Sequence, residues 1–139
     1  MPSQEKKFAT INVGDRAEFT VLISESLVND FGRISGDENP LHMDNDYAAK
    51  TAFGQRVVHG MLGGAFISQL VGMHLPGKYA LFLKQTLLFK KPMYIGMEVS
   101  VTGEVCARNA STRTIELVTQ IKYQDEILVD GQALVQVTE

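Results

Sequence analysis

The residues best suited to chemistry are Asp37 and His42, a carboxylate and an imidazole five positions apart. Asn39-Pro40 lies between them, in a segment whose glycine, asparagine and proline content favours a loop over a helix or a strand. Proline fixes its own φ and biases the preceding residue away from helix, so the two side chains have few relative placements. A carboxylate and an imidazole held in this way can share one water and transfer protons to and from a substrate. A structural role, in which Asp37 caps a turn and His42 hydrogen-bonds to it, remains open.

A second candidate is Gly60, which follows His59 at the start of a long apolar segment. Backbone N–H groups in the first turn of a helix have no partner within the helix, and the helix dipole favours negative charge there. Because Gly60 has no side chain, a substrate carbonyl can approach its N–H closely, which would make an oxyanion site. A glycine needed only for a turn or for tight packing fits equally well, and we interpret His59 as structural.

Other polar residues have weaker claims to a site. Ser68 lies in the middle of the same apolar segment, where a serine usually bonds back to a helix carbonyl. It lacks the Gly-x-Ser-x-Gly elbow of serine hydrolases. No second histidine pair or acidic cluster accompanies His42 and Asp44, so we predict no metal site. The last candidate is a basic group that consists of Lys84, Lys90 and Lys91. We expect these lysines at a solvated sheet edge, or against the phosphates of a nucleotide-bearing substrate.

Helices on both sides of the Asp37 segment must position these residues. Ser24 is predicted to N-cap a helix that ends at Gly36. Its apolar stripe has helical spacing and consists of Leu27, Val28, Phe31 and Ile34. A short helix capped by Asp44 or Asn45 is expected next, closed by Gly54.

The apolar segment Val57–Met73 predicts a long helix that is buried on all sides, because apolar residues occupy nearly every face. Gly63 and Gly64 lower helix stability by roughly 1 kcal/mol each relative to alanine. Their presence is explained if another backbone approaches the helix closely there.

The rest of the chain predicts β-strands. The expected strands are Glu18–Ile23, Tyr79–Lys90, Met97–Arg108, Thr112–Tyr123 and Ile127–Val137. Short links at 109–111 and 124–126 favour antiparallel hairpins. One long helix against a curved antiparallel sheet is an α+β single domain, here spanning residues 1–139. Residues 1–9 are expected to form a flexible terminus.

Composition excludes several classes of function. The net charge of −3, without a dense lysine and arginine cluster, argues against a nucleic-acid partner. The single cysteine, Cys106, allows no internal disulfide, and with three histidines it leaves little for a zinc site. The polar first ten residues resemble no signal peptide, and Met61–Leu75 is too short and mixed to span a bilayer. We therefore expect a cytoplasmic protein with no membrane partner.

The segment Ser35–His42, with the sequence SGDENPLH, resembles the hydratase-2 motif of the MaoC-like (R)-specific enoyl-CoA hydratases. The aspartate, the Asn-Pro pair and the histidine match in order and spacing. Val58–Leu62 resembles the segment that enters the central helix of these enzymes. The similarity continues through Leu75–Gly77 and Phe89–Pro92, and it covers roughly residues 10 to 138.

This resemblance implies a hot-dog fold, in which an antiparallel β-sheet wraps around one long central helix. It also implies a homodimer whose two sheets join edge to edge, with active sites near the interface. The implied activity is that of a hydro-lyase that interconverts trans-2-enoyl-CoA and (R)-3-hydroxyacyl-CoA, often in polyhydroxyalkanoate synthesis or fatty acid metabolism. Coenzyme A is then part of the acyl-CoA thioester substrate, and no separate cofactor is expected.

Carried over by position, Asp37 and His42 match the pair that holds the catalytic water in this family. Gly60 matches the backbone donor to the thioester carbonyl, and Ser68 falls at the position of a serine near the active site. Asn39 belongs to the first motif and is a candidate substrate-binding residue. The resemblance thus assigns roles that the spacing alone leaves open.

Three alternatives remain. A hot-dog acyl-CoA thioesterase typically has an acidic residue on or beside the central helix, and Gly60–His74 contains none. A dehydratase of 3-hydroxyacyl thioesters on acyl-carrier protein uses the same chemistry in reverse. A non-catalytic acyl-binding or scaffold module would not need both Asp37 and His42.

Overall fold

Five antiparallel strands form one sheet in the computed structural model, which describes all 139 residues. The strands are β1 (Arg16–Leu22), β2 (Ala80–Phe89), β3 (Glu98–Asn109), β4 (Thr114–Tyr123) and β5 (Glu126–Val137). Their order across the sheet is β1-β3-β4-β5-β2. Consequently β1 and β2 are the edge strands, and β2 has one side without a partner within the chain.

The helices lie between β1 and β2 in the sequence. They are α1 (Glu25–Ser35), α2 (Pro40–Met43), α3 (Asn45–Ala49) and α4 (Gly60–Gln69). A π-helical turn, Leu70–His74, extends α4, and a short 3₁₀ turn, Phe8–Thr10, precedes β1. None of these helices has the length and apolar character needed to cross a membrane.

Helix α1 begins and ends where its capping residues predict. The Ser24 hydroxyl accepts a hydrogen bond from the Leu27 amide. Gly36 adopts the left-handed conformation with φ 77°, and its N–H donates to the Gly32 carbonyl. The expected apolar stripe is wrong at Ile34, which is 76% exposed. The buried side of α1 centres on Val28 and Gly32, and Ile34 lies outside that narrow face.

Helix α2 was not expected, because the composition of this segment favoured a loop throughout. Its single turn forms because the Asn39 side-chain oxygen accepts a hydrogen bond from the Leu41 amide at 3.0 Å. Pro40 occupies the first helical position, where no N–H is needed. His42 therefore sits on a capped helical turn, whereas Asp37 lies in the loop before it.

Helix α4 starts at Gly60 and has one exposed face, so the prediction of burial on all sides is wrong. The open face includes Met61, which is 58% exposed, with Ala65 and Ser68 on successive turns. A single sheet covers only the opposite side of the helix. Phe66 and Ile67 are buried there.

The two consecutive glycines of α4 permit close packing, as expected, but their neighbours are side chains and not a backbone. A Cβ at Gly63 would lie 3.0 Å from Ile121 Cδ1, and one at Gly64 would lie 3.2 Å from Leu87 Cδ1. The helix therefore lies close to β4 and β2. The core around it comprises Val58, Leu62, Phe66, Ile67, Leu70, Met93, Val99, Val101, Ile121 and Val129.

The amino-terminal residues contact the end of the π-helical turn from residue 4 onwards. The Gln4 amide donates to the Met73 carbonyl at 2.9 Å, and the Lys6 amide donates to the Pro76 carbonyl at 3.2 Å. Phe8 is buried. The expectation of a flexible terminus over residues 1–9 was based on the polar composition of this segment. Composition alone does not indicate these backbone contacts.

Candidate active site

Asp37 lies in the loop that joins α1 to α2, just after the glycine that ends α1. Its amide donates to the Ser35 hydroxyl at 3.1 Å, and its Oδ1 accepts a hydrogen bond from the Asn39 amide at 3.2 Å. The side chain is 53% exposed. One carboxylate oxygen thus holds the loop in shape, while Oδ2 is directed towards His42.

His42 is oriented by a backbone carbonyl on the segment that leads into α4. Its Nδ1 lies 2.6 Å from the Val57 carbonyl oxygen. Because a carbonyl only accepts, Nδ1 donates this bond, and in the neutral imidazole Nε2 then keeps its lone pair. Nε2 lies 3.9 Å from Asp37 Oδ2, and the His42 side chain is only 18% exposed. The structure therefore brings together the pair that the sequence singled out, with a free acceptor on each member.

The Gly60 amide belongs to the first turn of α4, where the helix supplies no acceptor. A Cβ at Gly60 would lie 2.8 Å from Cε1 of Phe89, so a larger residue does not fit without a shift. Gly60 and His42 line one cleft of about 340 Å³, together with Val57, Met61, Phe89, Lys90, Lys91 and Pro92. One bound molecule can consequently contact both the glycine at the helix start and the histidine.

Ser68 and Asn39 stand apart from this cleft. Ser68 is exposed and lies eight positions after Gly60, which corresponds to a helical rise of about 12 Å. Its hydroxyl makes no hydrogen bond within the chain, so it does not bond back to the helix as core serines usually do. The Asn39 side-chain oxygen is occupied by capping α2. A substrate contact by either residue stays a prediction.

The lysines near the cleft differ in their contacts. Lys90 and Lys91 line its mouth, and Lys91 also forms an ion pair with Glu126. Lys84 is exposed and does not line the cleft. The cleft thus offers positive charge at its entrance to an anionic ligand.

Arg56 supports the site and was missed by sequence analysis. It is 4% exposed, and its Nε donates to the His42 carbonyl at 2.5 Å. The other guanidinium nitrogens donate to Glu25 Oε1 at 3.2 Å and to Asn29 Oδ1 at 2.7 Å. Arg56 therefore ties α2 to α1. Nothing in the spacing of a lone arginine after a glycine turn indicates such a clamp.

His59 is the other unexpected neighbour of the pair. It is 2% exposed, its Nε2 lies 2.7 Å from the Asp37 carbonyl oxygen, and its ring stacks on His42 with centroids 4.1 Å apart. The three side chains Asp37, His42 and His59 thus come close enough to resemble a metal-ligand set. However, one nitrogen of each imidazole already donates to a carbonyl, and His59 Nδ1 is buried. Only Asp37 and His42 then keep an accessible atom that could bind a metal ion. Two such ligands are fewer than the three protein ligands of a catalytic zinc site.

Comparison with known proteins bears on this arrangement. The family model described as the MaoC-like domain matches residues 7–127 of the chain. The chain belongs to the MaoC-like family. The match begins before β1 and ends at the start of β5, so Asp37, His42 and Gly60 all lie within it. The fold expected from the resemblance is confirmed.

Two curated MaoC-like relatives match the chain over most of their length. A 3-hydroxybutyryl-CoA dehydratase of Methylorubrum extorquens is 38% identical over 130 residues, which are 94% of this chain and 83% of that protein. An (R)-specific enoyl-CoA hydratase of Aeromonas caviae is 39% identical over 127 residues, 91% of this chain and 95% of that protein. The chain is therefore similar to hydro-lyases over its whole domain.

Solved structures agree with these matches. An R-hydratase of Pseudomonas aeruginosa in the unliganded form superposes with a TM-score of 0.94 at 37% identity, covering 99% of this chain and 88% of that one. The A. caviae hydratase, described as involved in PHA biosynthesis, superposes with a TM-score of 0.89 at 38% identity, covering 92% of this chain and 98% of that one. The hot-dog architecture and the position of its central helix thus follow from close structural similarity.

Proposed function

We propose that this protein is a hydro-lyase that interconverts trans-2-enoyl-CoA and (R)-3-hydroxyacyl-CoA by adding or removing water. The observation that carries the proposal is the placement of His42 Nε2 3.9 Å from Asp37 Oδ2. That separation exceeds a hydrogen bond but allows one water oxygen to contact both atoms. The relatives named as an enoyl-CoA hydratase and a 3-hydroxybutyryl-CoA dehydratase support the same reaction in its two directions.

The thioester carbonyl is proposed to bind at Gly60. A hydrogen bond from the Gly60 N–H, together with the positive end of the α4 dipole, stabilises the enolate-like charge that develops on the carbonyl oxygen. Polarisation of this carbonyl makes C3 of the enoyl group electrophilic. His42 lines the same cleft, so its water can approach C3 while the carbonyl stays at Gly60.

Water then adds across the C2–C3 double bond. The water oxygen forms a bond to C3, one water proton passes to the Asp37–His42 pair, and a proton is delivered to C2, on the same face of the double bond. Delivery from one pair makes the addition syn. We assign these proton transfers to the Asp37–His42 pair and not to one member alone. Since water addition is redox-neutral and balances without a further reactant, we propose no separate cofactor.

The protein is proposed to act as a homodimer that joins through the free edge of β2. This strand carries large exposed apolar side chains, namely Leu81, Leu83, Leu88 and Phe89. An unpaired strand with apolar side chains pairs readily with a second copy, which would continue the sheet. The exposed face of α4, with Met61, lies beside β2 and would be covered by the same association.

The cellular setting is proposed on chemical grounds. The sole cysteine, Cys106, is free and exposed, which suits the reducing cytoplasm. An (R)-3-hydroxyacyl-CoA product is a monomer for PHA synthesis, and the A. caviae structure is described as taking part in that process. The same product also fits fatty acid metabolism.

The nearest rival function is hydrolysis of the thioester. Helix α4 and its π-helical extension contain no carboxylate, and the acid of the site, Asp37, lies in the loop between α1 and α2. A second rival is dehydration of a 3-hydroxyacyl group on acyl-carrier protein, which requires the same residues. The thioesterase differs from the proposed enzyme in its product, and the dehydratase differs in the carrier of its substrate.

The test follows the enoyl absorbance of crotonyl-CoA and the release of free thiol in the same sample. The proposal predicts loss of the enoyl absorbance, formation of (R)-3-hydroxybutyryl-CoA on chiral analysis, and no free thiol. Free CoA from saturated acyl-CoA without hydration would establish a thioesterase. Activity on crotonyl-acyl-carrier protein alone would establish the other rival.

A further inference from the structure

We propose that His59 is a positioning residue that holds Asp37 and His42 in their catalytic relation. The inference rests on the proposed function, because it concerns the same water-binding pair. His59 immediately precedes Gly60, and sequence analysis assigned it only a structural role. Its contacts in the fold go further than filling space.

The first contact fixes Asp37. His59 Nε2 lies 2.7 Å from the Asp37 carbonyl oxygen, and a carbonyl only accepts, so Nε2 carries a proton and donates it. The other hydrogen bonds of Asp37 go to Ser35, the last residue of α1, and to Asn39, the N-cap of α2. The bond from His59 is thus the one that links the Asp37 backbone to the segment that enters α4.

The second contact supports His42. The two imidazole rings stack with centroids 4.1 Å apart and an interplanar angle of 29°. Val57, two residues before His59, accepts the hydrogen bond from His42 Nδ1. One short segment consequently orients the His42 ring through Val57 and supports its face through His59.

The segment that contains His59 is buried and is held in place by several contacts. His59 is 2% exposed, its ring also meets Phe31 edge to face at 5.0 Å, and the Val58 amide donates to the Met93 carbonyl at 2.8 Å. His59 Nδ1 is buried without a hydrogen-bond partner. A purely space-filling position would favour an apolar ring, since a buried unpaired nitrogen is unfavourable. The donor function of Nε2 explains why an imidazole occupies it.

Residues 57–60 therefore connect the whole site. Val57 orients His42, His59 anchors Asp37, and Gly60 offers the N–H proposed for the thioester carbonyl. Displacement of the Asp37 loop would change the distance between the water and the carbonyl. Small misplacements of reacting groups reduce turnover strongly and affect ground-state binding less.

Three substitutions of His59 distinguish the effect of its hydrogen bond from the effect of its aromatic ring. His59→Phe keeps an aromatic ring without a donor, and His59→Asn carries a donor that is too short to reach Asp37. His59→Gln places an amide nitrogen near the position of Nε2. We expect kcat for crotonyl-CoA hydration to fall by about 10- to 100-fold in the Phe and Asn variants, with KM within about threefold. The Gln variant should recover to within about fivefold of wild type.

His74 provides the matched control. It is the third histidine of the chain, and it stacks on Phe19 with centroids 5.2 Å apart, outside the Asp37–His42 cluster. His74→Phe should leave kcat within about twofold of wild type. The proposal is overturned if His59→Phe retains wild-type kcat, or if His59→Gln is as impaired as His59→Phe.

A measurement on the wild-type protein keeps the proposal testable if the variants do not fold. Imidazole ¹⁵N–¹H NMR should show His59 with its proton on Nε2, and this proton should exchange slowly because it is buried and hydrogen-bonded. A proton on Nδ1 instead would overturn the proposal. A wild-type protein that hydrates no enoyl thioester would contradict the proposed function, whereas the tautomer would still decide whether His59 holds Asp37.

Discussion

His42 Nε2 faces Asp37 Oδ2 at 3.9 Å, while the opposite nitrogen of the same ring donates to the Val57 carbonyl at 2.6 Å. The short bond fixes the orientation of the ring, so Nε2 is the nitrogen that lies on the side of the carboxylate. The long separation leaves room for a third oxygen between the two groups. This relation between His42 and Asp37 is the basis of the proposed reaction.

Replacement of Gly60 by alanine should reduce both activity and stability. The new Cβ would lie 2.8 Å from Phe89 Cε1, so the ring or the start of α4 must move. A shift of the helix start displaces the N–H that is proposed to bind the thioester carbonyl. We expect a loss in kcat of about 10- to 100-fold, since one oxyanion donor contributes at most about 1,000-fold. Steady-state kinetics and thermal unfolding measure the two effects.

The control for that change is Gly72→Ala in the π-helical turn. No atom outside the local chain lies within 4 Å of a Cβ at Gly72, so alanine fits. It should keep wild-type activity. The double variant Gly60→Ala with Phe89→Leu should regain stability. Wild-type kcat in Gly60→Ala alone would contradict the role of this amide.

Removal of the Arg56 guanidinium should destabilise the site as a whole. Arg56→Ala removes the donor to the His42 carbonyl and to Asn29 Oδ1. An unpaired, part-buried carbonyl costs about 1–3 kcal/mol, whereas the exposed Asn29 can bond to water instead. We expect the free energy of unfolding to fall by about 2–3 kcal/mol in urea titrations. Arg56→Lys should rescue little, because an ammonium cannot reproduce three directed contacts. Arg16→Ala, at an exposed ion pair, should change stability by no more than about 0.5 kcal/mol.

Much of the fold was predictable because it depends on local patterns. Apolar alternation and β-rich composition placed the strands to within about two residues. Ser24 and Gly36 marked both ends of α1 because their side-chain and backbone preferences are specific. Helix α2 was missed, since its short turn depends on the Asn39 cap and not on periodicity. The exposed face of α4 was missed because an apolar pattern does not reveal how many sides of a helix the sheet covers.

The site was predictable only in part. Asp37 and His42 could be paired because a rigid Asn39-Pro40 segment limits their separation. Contacts from elsewhere in the chain could not be predicted, because Arg56 and His59 approach the pair only after α1, α2 and α4 pack together. Single-sequence patterns carry no information on such long-range side-chain contacts.

Introduction of a charge on β2 should separate the proposed dimer. Leu83 is 50% exposed on the edge strand, and Leu83→Lys would place an ammonium at the interface, as natural edge strands do to prevent pairing. Light scattering should show a dimer for wild type and a smaller mass for the variant. Val13→Lys, at another exposed apolar residue, should keep the dimer. An unchanged mass in Leu83→Lys would contradict association through this edge.

The carboxylate of Glu18 should make a pH-dependent contribution to the stability of the fold. The Ser100 hydroxyl donates to its carboxylate, which lowers the pKa of Glu18 below its usual 4.5, with a smaller contribution from Arg16. Because the pKa of Glu18 is lower in the folded than in the unfolded protein, its ionised carboxylate stabilises the fold at pH values above the unfolded-state pKa. This stabilisation is lost as the pH falls through the folded-state pKa. Ser100→Ala should therefore reduce stability at neutral pH and have no such effect in strong acid. The pH dependence should vanish in a Glu18→Gln background; its persistence there would assign it to another group.

The most direct test of the account is the rate of crotonyl-CoA hydration in Asp37→Asn and His42→Ala, with Asp44→Asn as the control. Asp44 caps α3 through its side-chain oxygen, a role that asparagine can keep, so this variant should match wild type. We expect kcat to fall by about 100- to 10,000-fold when either member of the pair is replaced. Either variant hydrating as fast as wild type would contradict the assignment of the water to Asp37 and His42.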